Sequence, residues 1–135
     1  YRRQVFLADT RSEIHDQRTS SQLFQASREI WPAWNAGLLS DLCDGLSLVP
    51  HLDKPLYMLS TGSKRKVWLA AAFAAGAAVT LLDGPFAALD KASIEVLLDL
   101  LDEAADHPSR AWVIADHERP DALAGVHLAV IDLGD

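Results

Sequence analysis

An α/β fold with parallel strands is what this sequence predicts, on three observations. Residues 79–82 and 110–116 are short apolar runs with β-branched members, the pattern of buried strands. Between them, Ile94, Leu97, Leu98, Leu101, Ala104 and Ala105 recur at i, i+3, i+4 spacing, which puts one apolar stripe on a helix. Strands that alternate with helices build a layer whose strands run parallel.

The elements follow in order. QVFLAD, residues 4–9, is a short apolar run ending in polar residues and predicts a buried strand. TRSEIHDQRT is a polar loop. Ser20 or Ser21 can cap a helix whose apolar face uses Leu23, Phe24, Ser27, Ile30 and Trp31. Pro32 stops that helix or begins the next. Residues 33–43 continue helically, with Trp34, Leu38, Leu39 and Leu42, until Asp44 and Gly45 end the run. A connector with two prolines, LSLVPHLDKPLYM, leads to a helix capped by Ser60 and beginning at about residue 63. Its Ala-rich body suits a helix, and Gly76 suits its C-cap. Past the helix of residues 94–105, His107 and Pro108 break the chain, and the strand 110–116 follows. Pro120 then opens a short helical turn that ends near Gly125, and residues 126–134 make a last strand or hairpin.

Composition narrows the function. The chain has 135 residues, half of them hydrophobic, enough for one domain with a sizeable core. Its formal charge of −7 and pI near 5.0 argue against nucleic acid as a partner, because phosphate-backbone binders carry a basic stripe. The short basic cluster Lys64-Arg65-Lys66 reads as a solvated first helical turn. Cys43 is the single cysteine, so an intrachain disulfide and a thiol-based zinc cluster are both excluded, and reducing cytoplasm is the default compartment. Residues 67–82 carry no charge, but 16 residues fall short of the roughly 20 a spanning helix needs. No membrane span is expected, and Val5–Ala8 is too short for a signal-peptide core.

Three places carry chemistry. Ser60-Thr61-Gly62-Ser63 precedes a basic helix, where a hydroxyl and free N–H groups can seat an anion; Gly62 permits close approach to the backbone. The same string would also serve as an ordinary N-capped helix start. Asp83 closes an apolar strand, at the end where α/β sheets bind ligands, and offers oxygen to Mg²⁺. His117 follows the strand 110–116.

Taken in order, these strings resemble the C-terminal portion of an ATP-binding-cassette (ABC) transporter nucleotide-binding domain, from its Q-loop strand onward. Leu59-Ser60-Thr61-Gly62-Ser63 is similar to the family's LSGGQ signature, with Thr61 for the first Gly and Ser63 for the Gln. Val79-Thr80-Leu81-Leu82-Asp83 is similar to the Walker B strand, and Gly84-Pro85-Phe86-Ala87-Ala88-Leu89-Asp90 to the proline turn and D-loop. His117 stands where the family has its H-loop histidine, and Asp9 where it has the Q-loop glutamine. The resemblance implies a partial P-loop NTPase-like (RecA-like) core, residues 1–11 and 67–135, with a helical subdomain at about 12–66 inserted before the signature. It implies ATP and Mg²⁺ as cofactors. Ser60, Thr61, Gly62, Ser63 and Asp90 would face nucleotide, Asp83 and Asp9 the metal, and His117 the γ-phosphate. It also implies a second nucleotide-binding domain (as homo- or heterodimer), a transmembrane permease subunit, and a cytoplasmic position on the inner face of the plasma membrane through that permease.

Two family features are absent from the sequence. No GxxxxGK[ST] occurs, so the motif that supplies most of the grip on phosphate is missing, and one incomplete domain is expected. Gly84 occupies the place of the usual catalytic Glu, and glycine cannot accept a proton. Weak or absent hydrolysis by this chain alone is therefore expected. The alternative is a degenerate cassette that lends its signature motif to a partner's ATP site.

Overall fold

The computed structural model describes residues 5–8, 14–105 and 111–115. Three parallel strands form one sheet in the order β1 (Val5–Ala8), β2 (Val79–Asp83), β3 (Ala111–Ala115). Parallel neighbours cannot be joined by tight turns, so helices make both crossovers. Between β1 and β2 lie α1 (Ser20–Ile30), α2 (Ala36–Gly45), two single 3₁₀ turns and α3 (Thr61–Ala75); α4 (Lys91–Ala105) joins β2 to β3. The predicted fold class and strand direction hold for this part. The helical turn near Gly125 and the strand at 126–134 lie outside the described residues.

Register sorts the two faces of the sheet. Phe6, Ala8, Thr80, Leu82, Trp112 and Ile114 are all buried, on the face where α3 packs against β1 and α4 against β3. Phe73 of α3 stacks on Trp112 with ring centroids 4.5 Å apart, and Trp31 at the end of α1 meets Phe6 at 5.6 Å. Val5, Leu7, Val79, Leu81 and Val113 make the opposite face, where Leu7 is 55% exposed.

The helix α3 explains the long uncharged run. It is buried on every side from Val67 to Ala75, as a helix apolar all round must be. Ala70, Ala71, Ala72, Ala74 and Ala75 keep it thin enough to sit between the sheet and α1 and α2. Gly76 ends it in the left-handed region, φ 63° and ψ 30°, which glycine adopts without steric cost. Among the described residues no helix is long and apolar enough to cross a membrane.

Helix starts differ in detail from expectation. The cap of α1 is Thr19 rather than Ser20 or Ser21. Thr19 and Gln22 form a reciprocal capping box, 3.1 Å and 2.9 Å, which a serine one residue later could not close with Gln22 at N3. Ile30 is exposed, whereas Leu23, Phe24, Ser27 and Trp31 are buried as predicted. Asn35 caps α2, so that helix starts at Ala36, and the Asn35 N–H donates to the Ala74 carbonyl at 2.8 Å near the end of α3. Ser60 caps α3 as predicted, and the helix starts at once with Thr61.

The connector is tied down beside the loop before α1. Leu56 N–H donates to the Arg18 carbonyl at 2.8 Å and Tyr57 N–H to that of Asp16 at 3.1 Å. Leu56 is fully buried. These bonds set the position of Ser60, and hence of the start of α3.

Candidate functional site

Two segments meet at one end of the molecule: the first turns of α3, and residues 84–90 after β2. Gly62 is where they touch. A Cβ built on Gly62 would lie 2.5 Å from the Ala88 carbonyl oxygen, inside any tolerable contact. The close approach that Gly62 permits is therefore to the chain's own backbone. The loop itself turns through two left-handed residues, Gly84 at φ 56° and Ala88 at φ 61°. Glycine reaches that region freely, but alanine does so at a cost and needs support from its surroundings.

The basic cluster supplies that support, which overturns its reading as a solvated turn. Arg65 is 7% exposed and donates a hydrogen bond to the Ala87 carbonyl. Lys64 pairs with Asp16 at 2.5 Å, and Lys66 lies 3.8 Å from Asp90. The spacing hid this because the acceptors are remote in sequence. A three-residue run on a helix necessarily points three ways, and the loops packed around α3 decide what each side chain meets.

At the anion seat, Ser60 Oγ accepts the Ser63 N–H at 3.1 Å and donates to Ser63 Oγ at 3.1 Å. The Ser63 N–H is thus taken by the cap. Ser60 and Thr61 are exposed and Gly62 is half-buried. An oxyanion approaching along the axis of α3 would find the exposed Thr61 and the positive end of the helix dipole, and the Ser60 hydroxyl only if it gives up its bond to Ser63 Oγ. This fits one edge of a phosphate and falls short of a full cradle.

Asp90 has a structural task. Its carboxylate accepts the Ser93 N–H at 3.1 Å, and its carbonyl accepts the Ile94 N–H at 3.0 Å, so it caps α4. Hydrogen bonds from Ser93, its hydroxyl first and then its N–H, hold the Asp90 carboxyl below its ordinary value; Lys66 adds a smaller pull and partial desolvation opposes. A lowered carboxyl contributes stability above its unfolded value near ~3.9 and loses it as pH falls through the lower folded value. Asp90→Asn keeps the cap and removes the charge. Wild type is expected to melt higher than this variant at neutral pH, the gap closing in acid below about pH 4. Thermal melts across pH check this, and a gap independent of pH would contradict it.

Of the other candidates, Asp83 ends β2 beside Ala115, its backbone described and its side chain not. Asp9 and His117 lie outside the described residues. Among the described residues no three His, Cys, Asp or Glu side chains gather into a metal site. Among the described residues nothing lies within 4 Å of a Cβ built on Gly84, so they leave room for a side chain there, though its φ disfavours one. Away from this end, a groove of about 320 Å³ runs between α1 and α2, floored by Phe24, Trp34, Leu39, Val49 and Leu52. Cys43 faces it, buried; desolvation first and Asp44 second push its thiol up, so it remains a thiol at neutral pH.

Comparison with known proteins gives this geometry a family. No family model matches the chain. The chain is 30% identical over 99 residues to the cytochrome c biogenesis ATP-binding export protein CcmA of Haemophilus influenzae; the match covers 73% of this chain and 45% of that protein. Over 56 residues it is 50% identical to the cobalt import ATP-binding protein CbiO of Rhodobacter capsulatus, covering 42% of this chain and 20% of that protein. It superposes on the dimeric structure of a post-hydrolysis ATP-binding cassette bound to ADP and Pi with a TM-score of 0.69 and 18% identity, covering 87% of this chain and 54% of that one. The fold is that of an ABC-type P-loop NTPase, of which these residues form part. The homologues place the chain in the family of ABC transporter ATP-binding proteins, as a portion of one nucleotide-binding domain. It spans less than half the length of the H. influenzae relative.

Proposed function

We propose that this chain is the C-terminal portion of an ABC transporter's ATP-binding subunit, which couples ATP binding and hydrolysis to transport across a membrane. The observation that carries the reading is the meeting of Ser60–Ser63 with residues 87–90. Two strings assigned to one nucleotide interface by their sequence are joined in space through Gly62 and Arg65. On this reading α3 presents Ser60 and Thr61 to the triphosphate held by a second nucleotide-binding domain, Asp83 and Asp9 serve Mg²⁺, and His117 serves the γ-phosphate. Bound MgATP supplies the phosphoanhydride whose cleavage drives the cycle. This chain's part is to approach the phosphate edge with hydroxyls and a helix dipole and to hold the loop after β2 in register with them.

The division into a helical subdomain at about 12–66 and an α/β core belongs to the same proposal, as do the permease partner and a cytoplasmic, membrane-peripheral place. The groove between α1 and α2 offers such a permease an apolar seat. Gly84 favours a second reading, in which the cassette is non-catalytic and lends its signature turn to a partner's ATP.

Nucleotide titration tests both. This chain alone is expected to bind MgATP weakly or not at all, and binding is expected once a P-loop half is joined to it. If the second reading holds, adding the chain instead stabilises or stimulates a partner that carries its own P-loop. Absence of both effects would remove the assignment.

A further inference from the structure

Arg65 stands out among the charged residues. A guanidinium buried to this degree is costly unless its donors are used. One of them bonds the Ala87 carbonyl, and the next carbonyl, Ala88, abuts Gly62 three residues before Arg65. Two consecutive carbonyls of one loop therefore rest on the first turns of one helix. Apolar packing also seats the loop, with Pro85 fully buried and Phe86 and Leu89 against the core, but its backbone is weakly tied within itself. Its own turn bonds are long, 3.3 Å from the Ala87 N–H to Gly84 and 3.4 Å from the Leu89 N–H to Phe86. Ala88 holds a left-handed φ that its neighbours must enforce.

We infer that Arg65 is a positioning residue that makes the Ser60–Ser63 turn and the 84–90 loop one rigid body. It does not touch phosphate. It sets the height of the loop after β2 against the turn that approaches the nucleotide, so neither segment shifts without the other. The functional half of this inference rests on the nucleotide-site reading above; the mechanical half does not.

The test uses the full-length protein and amide hydrogen exchange. In wild type, Ser63, Lys64, Ala87 and Leu89, whose N–H groups are all bonded, should exchange through a shared opening, with one dependence on denaturant. Different dependences would overturn the inference, and this measurement needs no variant to fold. Arg65→Met keeps the apolar stem and removes the donors. It should raise exchange at Ala87 and Leu89 about tenfold or more, given the strength of hydrogen bonds from charged donors, while β2 and the body of α3 stay protected. Arg65→Lys keeps the charge and an N–H donor group and should restore much of that protection. An unchanged loop, or a rise spread evenly over the molecule, would overturn the proposal. Affinity for a non-hydrolysable ATP analogue with Mg²⁺ should fall about tenfold in Arg65→Met and largely recover in Arg65→Lys. A looser loop with unchanged affinity would overturn the functional half. Failure of the wild type to bind the analogue would sink the nucleotide-site reading, and the exchange data would still decide the role of Arg65.

Discussion

Gly84→Glu, introduced into the full-length protein, is expected to raise ATP hydrolysis by about 10²–10⁴-fold, the usual contribution of a positioned general base. The position follows Asp83 at the end of β2, where a carboxylate could orient a water attacking a bound γ-phosphate. The described residues leave space for it, since none of them lies within 4 Å of an added Cβ. Backbone conformation opposes it. Gly84 has φ 56°, and an L-residue there costs roughly 1–2 kcal/mol. That is about a tenfold effect, smaller than the expected catalytic gain, so the gain should survive and the variant should also melt lower. Phosphate release measured side by side with wild type decides the matter. Equal rates, with the variant folded and binding ATP, would remove the claim that Gly84 limits hydrolysis.

Gly62→Ala is expected to destabilise the protein by about 1–3 kcal/mol, the range for overpacking a close-packed site. The added methyl would meet a backbone carbonyl, that of Ala88, which cannot rotate aside as a flexible side chain can. Either α3 or the 84–90 loop must move, and Arg65 ties the two together. Denaturant melts give the size of the loss. Ala at neighbouring Thr61, which is exposed, is the control and should change stability by less than about 0.5 kcal/mol. A Gly62→Ala protein as stable as wild type would show that the loop does not press on the helix. The same variant should loosen Ala87 and Leu89 in hydrogen exchange. In that respect it resembles Arg65→Met, since both disturb the seating of the loop on α3, one at the Ala88 carbonyl and the other at the Ala87 carbonyl.

Much of the architecture was legible because its signals are local. The apolar run of β2, the stripe on α4, Pro32 between two helices, Ser60 before α3 and Gly76 after it each act within a few residues. The Thr19 cap was missed because three hydroxyl residues stand in a row, and only the reach of Gln22 selects the first. The candidate site was legible as strings in order, and the proximity of Ser60–Ser63 to residues 87–90 was not. No periodicity links Arg65 to Ala87, 22 residues on.

The sequence by itself determined the alternation of strands and helices, the lack of a spanning segment among the helices described, the missing P-loop string and the glycine after Asp83. Each is a property of composition or of neighbours along the chain. Only the tertiary structure decided that Gly62 makes room for a carbonyl of its own chain, that Arg65 is buried as a clamp, and that Asp90 spends its carboxylate on capping α4. Those outcomes depend on how close two backbones come after α3 and β2 have packed, and close packing is a property of the whole fold that no short window of residues contains.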